Sequence, residues 1–265
     1  MGVYNTMKDQ RLTFNDDLIN YEKWRTNYCD ELFSDIIAYS GIGAGKLAVD
    51  VGCGTGKSTR PILEAGCRVI GIEYGRDMAE YVRERFKSYD EFSVENAKFE
   101  DFVCEDNSID LLLSGTAFHW IPEDIGYGKA FRIIRPGGTL ALFWSFPTPD
   151  ISRPQLMERM QSVYSRYNPN ERLTAGDKSY GQRTPIAETI VKYGFAEPEH
   201  HLLRRKITYN ADDYISALRT FATHLMIRPD DLRERYELEI KDAINSTGGY
   251  LDVYDVMDLF LARKP

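Results

Sequence analysis

The chain has 265 residues, enough for one large α/β domain with an added cap, and 43% hydrophobic and 28% charged residues are an ordinary balance for a soluble globular protein. The formal net charge of -8 argues against a nucleic-acid-binding face, which needs clustered Lys and Arg. Cys29, Cys53, Cys67 and Cys104 form no C-x-x-C pair, the first residues lack an apolar signal core and no run is long enough to span a membrane, so the expectation is free thiols in a cytoplasmic protein.

Between residues 5 and 40 the apolar positions Phe14, Leu18, Tyr21, Trp24, Tyr28, Leu32, Phe33, Ile36 and Ile37 recur every three or four residues, which predicts one or two amphipathic helices. Gly41 to Gly45 turns the chain into a first strand, Lys46 to Val51. Its short apolar run, ending in the acidic Asp50, is that of a buried parallel strand. Three glycines at alternate positions follow, Gly52, Gly54 and Gly56, and then a helix from Lys57 to about Ala65. Pro61 falls in its first turn, where a missing N–H costs little, and Gly66 ends it. Cys67 to Glu73 is a second strand, Asp77 to about Lys87 a helix with an exposed charged face, and Phe92 to Phe99 a third strand.

Ser108 to Ser114 is a fourth strand, entered by a turn at Asn107 and Ser108. A helix over Tyr127 to Ile134 and the reversal Arg135-Pro136-Gly137-Gly138-Thr139 lead into a fifth strand, Leu140 to Trp144. From 146 to 185 the alternation of strand and helix is lost. Pro147, Pro149 and Pro154 open this stretch, and Leu156, Met157, Met160, Val163, Tyr164 and Tyr167 form a helical stripe. His200, Leu202, Arg204, Lys206 and Thr208 alternate as a sixth strand, and Val256 to Ala262 forms a seventh. Between them a second helical insertion runs from Asp212 to about Ser246 and carries Tyr214, Leu218, Phe221, His224, Leu225 and Met226. The predicted organisation is a helical lid at 1–45, a core at 46–145, a cap insertion at 146–185 and C-terminal strands with a second cap at 186–265.

The stretch from Asp50 to Lys57 is a ligand cradle at the carboxyl end of a first strand. Glycine lets the backbone turn sharply and approach a ligand, and the N–H groups of the next helix face the same spot. A phosphate loop would need glycine at position 51, which is Val51. A dinucleotide fingerprint would need its third glycine one residue later than Gly56. Glu73 ends the second strand 21 positions after Gly52, where a carboxylate can accept both hydroxyls of a ribose.

The acidic-x-G-x-G-x-G run from Asp50 to Gly56 resembles the first motif of the class I S-adenosylmethionine-dependent methyltransferases, and Phe118-His119-Trp120 resembles the F-H-W of a small-molecule subset that includes the trans-aconitate methyltransferase type. The resemblance implies a doubly wound, mostly parallel seven-stranded sheet of the Rossmann-like methyltransferase kind with helical caps, and S-adenosyl-L-methionine as cofactor. It implies cofactor contacts from Asp50, Gly52, Gly54, Thr55, Gly56, Glu73, Tyr74, Met78, Phe99, Glu100 and Ser114. Met78 reads equally well as helix core, and Phe99 reads either as a stacking partner for adenine or as core. Relatives often carry Asp-Ala-Glu where this chain has Lys98-Phe99-Glu100. A Y-x-x-x-R-x-x-Y pattern before the first strand stands here as Tyr21, Arg25 and Tyr28, with Thr26 where the family often has Pro. It implies a cofactor carboxylate clamp at Arg25 with Tyr21 beside it, against a surface ion pair as the plain alternative.

Residues after the fourth strand line the reaction chamber in this topology. Tyr28, His119 and Trp120 are accordingly expected in the substrate pocket, with His119 as the candidate catalytic side chain. The expected acceptor is a small molecule, methylated at oxygen or nitrogen. The other readings are a non-catalytic protein that binds the cofactor or its demethylated product and, against the glycine spacing, a nicotinamide oxidoreductase. Arg204, Arg205 and Arg219 read as surface charges before they read as a site for an acidic substrate. No metal is expected, since His200 and His201 are adjacent and point to opposite faces of a strand.

Overall fold

A computed structural model describes residues 18–150, 152–167, 183–225, 227 and 229–265. Phe14 and Met226 lie outside the described residues. The elements are α1 (Leu18–Trp24), α2 (Asp30–Ser40), β1 (Leu47–Val51), α3 (Thr59–Glu64), β2 (Arg68–Glu73), α4 (Arg76–Arg85), β3 (Phe92–Asn96), β4 (Ile109–Gly115), α5 (Glu123–Ile133), β5 (Ile134–Pro149), α6 (Pro154–Tyr167), α7 (Arg183–Lys192), β6 (Glu199–Asn210), α8 (Ala211–Leu218), α9 (Ala222–Leu225), α10 (Asp230–Asn245) and β7 (Tyr250–Arg263). The strands form a seven-stranded sheet in the order β3-β2-β1-β4-β5-β7-β6. Pairs β3/β2, β2/β1, β1/β4 and β4/β5 are parallel. The α/β, doubly wound, mostly parallel sheet that the resemblance implies is the observed one.

The chain divides into two compact units. One comprises 27–146, 178–204 and 256–265. Its strands separate two apolar layers by simple alternation. Leu111 and Leu113 of β4 join Ala48, Ile62, Leu63, Val82 and Phe86 on one face, while Leu112 joins Val49, Val51, Ala130, Ile133 and Ile190 on the other. Buried on both faces, β1 and β4 are apolar for most of their length, broken by Asp50 and Asp110, which is the sequence form of a covered parallel strand. The register pairs Val51 with Ile72 and Glu73 with Asn96, which brings the carboxyl ends of β1, β2 and β3 level.

The other unit comprises 1–26, 147–177 and 205–255. Its core is built from α6, α8 and α10: Leu156, Met160, Val163 and Tyr164 pack with Tyr214, Ile215, Tyr236, Ile240 and Ile244. Asn210 caps α8 by accepting from the Asp213 N–H at 2.8 Å. Arg205 pairs with Asp255, and Arg219 with Glu237, so neither arginine is a loose surface charge.

Several elements differ from the sequence expectation. The fifth strand starts at Ile134, because the Gly137 N–H donates to the Lys264 carbonyl and the Lys264 N–H to Gly138, drawing the expected reversal into the ladder. The seventh strand starts at Tyr250. Its apolar pattern is interrupted by Asp252, Asp255 and Asp258, each buried and each partnered, by Lys206 and Thr208, Arg205 and His200 respectively. Helix α7 was not anticipated, although Ile186 and Ile190 at a spacing of four are its inward face.

Candidate functional site

The glycine loop bends at three left-handed positions, Gly52 (φ 71°), Gly54 (φ 53°) and Gly56 (φ 85°). Two are dictated by packing. A Cβ on Gly52 would lie 2.5 Å from Cβ of Ala117, and one on Gly56 would lie 2.3 Å from Cε2 of Phe86. Gly54 is different: the nearest atom to its Cβ position is the Met78 sulfur, 4.0 Å away, so its α-carbon faces open space. The loop is held from three sides. Gly52 and Cys53 donate to the Ile72 carbonyl, Gly56 donates to Cys53, and the Arg85 guanidinium donates to the Thr55 carbonyl at 3.0 Å.

Asp50 turns away from that space. Its Oδ2 accepts from Ser58 Oγ and Thr59 Oγ1, each at 2.7 Å, which ties the start of α3 to β1. Helix α3 therefore begins at Thr59, two residues later than the pattern suggested. Burial raises the Asp50 pKa from 3.8 to about 6 despite the two hydroxyl donors. Asp50 Oδ1 and Thr55 Oγ1 are buried without a hydrogen-bond partner.

Glu73, at the tip of β2, is buried and bridges two loops. Its Oε2 accepts from the Gly54 N–H at 2.8 Å and its Oε1 from the Gly75 N–H at 2.7 Å. Burial pushes its pKa up, against the pull of these backbone donors. Each carboxylate oxygen carries two lone pairs, so the carboxylate has capacity for further donors. Met78 of α4 is buried with its sulfur toward Gly54, and the Lys98 ammonium sits 5.1 Å from the Tyr74 ring centroid. Glu73, Gly54 and Met78 thus meet at one place, with Tyr74 next to Glu73 in the chain.

Phe99 is not open for stacking. Its ring is buried among Phe102, Phe118 and Ile72. Lys129 on α5 reaches the same turn, donating from Nζ to the carbonyls of Phe99 at 2.6 Å and Glu100 at 3.0 Å. Sequence reasoning passed over Lys129; the signal was a charged residue in the apolar stripe of Tyr127, Ala130 and Ile133.

At the carboxyl end of β4, Ser114 is buried and donates to the Val51 carbonyl at 2.7 Å, stitching β4 to β1. Thr116 follows with φ 53°. Its Oγ1 lies 3.0 Å from Tyr28 Oη and accepts from the Ser145 N–H at 3.3 Å. Thr116 was not anticipated, since no local pattern marks it. His119 stands in a short 3₁₀ turn over Phe118–Trp120. Its Nδ1 is 3.1 Å from Trp144 Nε1, and an indole N–H only donates, so Nδ1 accepts and the neutral ring carries its hydrogen on Nε2. The imidazole offers a donor at Nε2 rather than a base at Nδ1. It tilts over Trp120 with ring centroids 4.8 Å apart.

Tyr21 and Arg25 belong to the other unit. There the Arg25 guanidinium lies 4.5 Å from the Phe221 ring centroid and donates to the Thr220 carbonyl at 3.4 Å. His200 and His201 go to separate carboxylates, Asp258 and Asp35. Among the described residues no group of His, Cys, Asp and Glu is arranged to hold a metal ion, and no helix is long and apolar enough to cross a membrane.

The methyltransferase domain family matches residues 49–142, from β1 into β5. An uncharacterised methyltransferase of Schizosaccharomyces pombe is 23% identical over 235 residues, 88% of each chain. These matches support a class I methyltransferase assignment for the β1–β5 core. Among solved structures, a putative type II methyltransferase of Anaeromyxobacter dehalogenans superposes with a TM-score of 0.64 at 20% identity, over 89% of this chain and 97% of that one. An N-methyltransferase of Haemonchus contortus in complex with S-adenosylhomocysteine gives 0.57 at 15% identity, over 98% of this chain and 61% of that one. Mycobacterial methyltransferases are matched over 54% of their length. In this chain a glycine whose α-carbon is open stands beside a carboxylate with lone pairs to spare.

Proposed function

We propose that this methyltransferase moves a methyl group from S-adenosylmethionine to an oxygen or nitrogen of a small-molecule acceptor. The observation that carries the reading is the pairing of Glu73 with Gly54: the carboxylate suited to a ribose is tied directly to the one loop glycine that faces open space. Glu73 would accept the ribose hydroxyls, Gly54 would admit the ligand against the loop, and Met78 and Tyr74 would flank it. Gly52, Thr55 and Gly56 would give the loop its shape, and Asp50 and Ser114 would hold that shape from behind. Phe99 and Glu100 would contribute through their backbone, as Lys129 fixes it.

The bound cofactor supplies a methyl group already activated by a sulfonium. The protein's own task is then to hold the acceptor in line and exclude water. Tyr28, Trp120 and Trp144 provide aromatic surface, which favours a cation. His119, with Nδ1 held by Trp144, is suited to donate a hydrogen bond from Nε2 and thereby orient an acceptor. An acceptor that arrives already deprotonated needs no base. The net charge of -8 supports a small molecule over a nucleic acid.

The test is incubation with methyl-labelled S-adenosylmethionine and a fractionated cell extract. Label in a small-molecule product is the expected result. Binding of S-adenosylhomocysteine without transfer to any fraction would instead make the chain a non-catalytic binder, and absence of binding in a folded sample would overturn the proposal.

A further inference from the structure

Helix α10 carries a glutamate on its inward stripe. Glu237 stands between Tyr236 and Ile240 in that stripe, and like them it is buried. A carboxylate taken out of water needs donors and an opposite charge. Arg219, the residue that ends α8, supplies both: its guanidinium donates to Oε1 from Nε at 2.9 Å and to Oε2 from Nη2. Burial pushes the carboxyl up, but the donors on His224 and Arg219 outweigh it, and the Glu237 pKa falls to about 2. The pair therefore stays ionised at neutral pH.

His224 is added to a pair already complete in charge. Its Nε2 lies 2.9 Å from Glu237 Oε1. An ionised carboxylate only accepts, so Nε2 carries a hydrogen. The imidazole is buried and tilts over the Tyr236 ring, with centroids 5.5 Å apart. Tyr164 and Tyr167 meet that same tyrosine edge-on, at 5.6 Å and 5.8 Å. The second ring nitrogen, Nδ1, is buried with no hydrogen-bond partner. Most buried polar atoms are paired, and one that is not calls for an explanation. Support of Glu237 does not give one, because Arg219 already provides two donors and the charge.

A neutral imidazole with its hydrogen on Nε2 presents a lone pair at Nδ1, in a direction fixed by the bond to Glu237. A lone pair repels a carboxylate or a phosphate. Among the described residues no group of His, Cys, Asp and Glu is arranged to share a metal ion with it. The Arg219–Glu237 pair leaves no net charge to attract an ion. What Nδ1 can take is an O–H or N–H, and the tyrosine rings beside the imidazole suit a flat apolar body behind that group. Arg219 is about half exposed, so the cluster lies one side chain below the surface.

We infer that His224 Nδ1 anchors a ligand site in this helical unit, taking the O–H or N–H of a small uncharged aromatic molecule. All of its residues belong to the unit comprising 1–26, 147–177 and 205–255. The inference stands apart from the methyltransferase reading, and its failure leaves that reading untouched.

Phenol and anisole test it, since they share a ring and differ in the O–H. Nuclear magnetic resonance of the full chain with isotope-labelled histidine follows the ring nitrogens of His224, assigned through their bonds to the backbone. The expected result is a bare Nδ1 in the free protein at neutral pH and a saturable shift of its signal with phenol. Anisole should bind about tenfold more weakly, the loss of roughly one hydrogen bond. His224→Gln retains an N–H toward Glu237 and removes Nδ1, and it too should lose about tenfold in phenol affinity while melting as the wild type does. A hydrogen already on Nδ1, equal binding of the two probes, or undiminished phenol binding by His224→Gln would overturn the inference. So would an Nδ1 signal that responds to neither probe, the result expected if water alone serves the nitrogen. If His224→Gln does not fold, the comparison of phenol with anisole on the wild type decides.

Discussion

Replacing Gly54 and Gly56 by alanine, one at a time, separates the ligand-facing glycine of the loop from a packing glycine. At Gly56 the added Cβ falls 2.3 Å from Cε2 and 2.9 Å from Cζ of Phe86, and 2.9 Å from Cγ2 of Val82. Phe86 is fully buried and locked by Tyr89 and Phe92, so it has no room to give. The left-handed backbone costs an L-residue about 1–2 kcal/mol and overpacking about 1–3 kcal/mol more, so Gly56→Ala loses about 2–5 kcal/mol. That is a large share of an ordinary domain's stability. At Gly54 only the backbone term applies, about 1–2 kcal/mol, since nothing lies nearer than 4.0 Å. The new methyl instead enters the space assigned to the ligand, where an overlap worth about 1–3 kcal/mol weakens S-adenosylhomocysteine roughly 5- to 150-fold. Urea unfolding followed by tryptophan fluorescence gives the first quantity and titration calorimetry the second. If Gly54→Ala binds as tightly as the wild type, or destabilises as much as Gly56→Ala, the division of roles is wrong.

Other expected outcomes follow from single groups. The folded Asp50 carboxyl holds its proton up to about pH 6, against 3.8 ordinarily, so its contribution favours the fold in acid and is lost as pH rises from about 4 through 6. That shift corresponds to about 3 kcal/mol, and the stability difference between wild type and Asp50→Asn should change by this amount between pH 4 and 7; a difference constant with pH would refute it. Thr116→Asn relieves the left-handed strain, worth about 1–2 kcal/mol, and should raise the melting temperature by about 3 °C in scanning calorimetry; a lower melting temperature would show that the backbone is not strained there. Lys129→Met leaves the Phe99 and Glu100 carbonyls without their ammonium donor. It should cost about 1–3 kcal/mol and speed amide exchange around residue 100; unchanged exchange there would remove Lys129 from the account.

How much of this was legible depended on how local the determinant is. The glycine spacing and the acid at Glu73 are written within 24 residues, and the strands flanking them are mostly apolar, so the fold of the core could be read directly. The strand ends could not, because Gly137 and Gly138 are held by Lys264 across the sheet and the acids of β7 are balanced by partners on β6. Phe99 has the same appearance in sequence whether it meets a purine or a core, and only the ring's burial against Phe118 decides. Asp50 looks like a ligand-facing acid until Ser58 and Thr59 are seen to claim it. The Tyr28–Thr116 contact joins residues 88 apart in the chain, and its cause is a backbone conformation that residue types alone do not reveal.

The most direct measurement is amide hydrogen exchange with and without S-adenosylhomocysteine. Slowed exchange over residues 51–57, 73–78 and 114–117, the tips of β1, β2 and β4, is the predicted result. Protection confined to other segments, or no ligand-dependent change at saturating concentration, would contradict a nucleoside site at the strand ends.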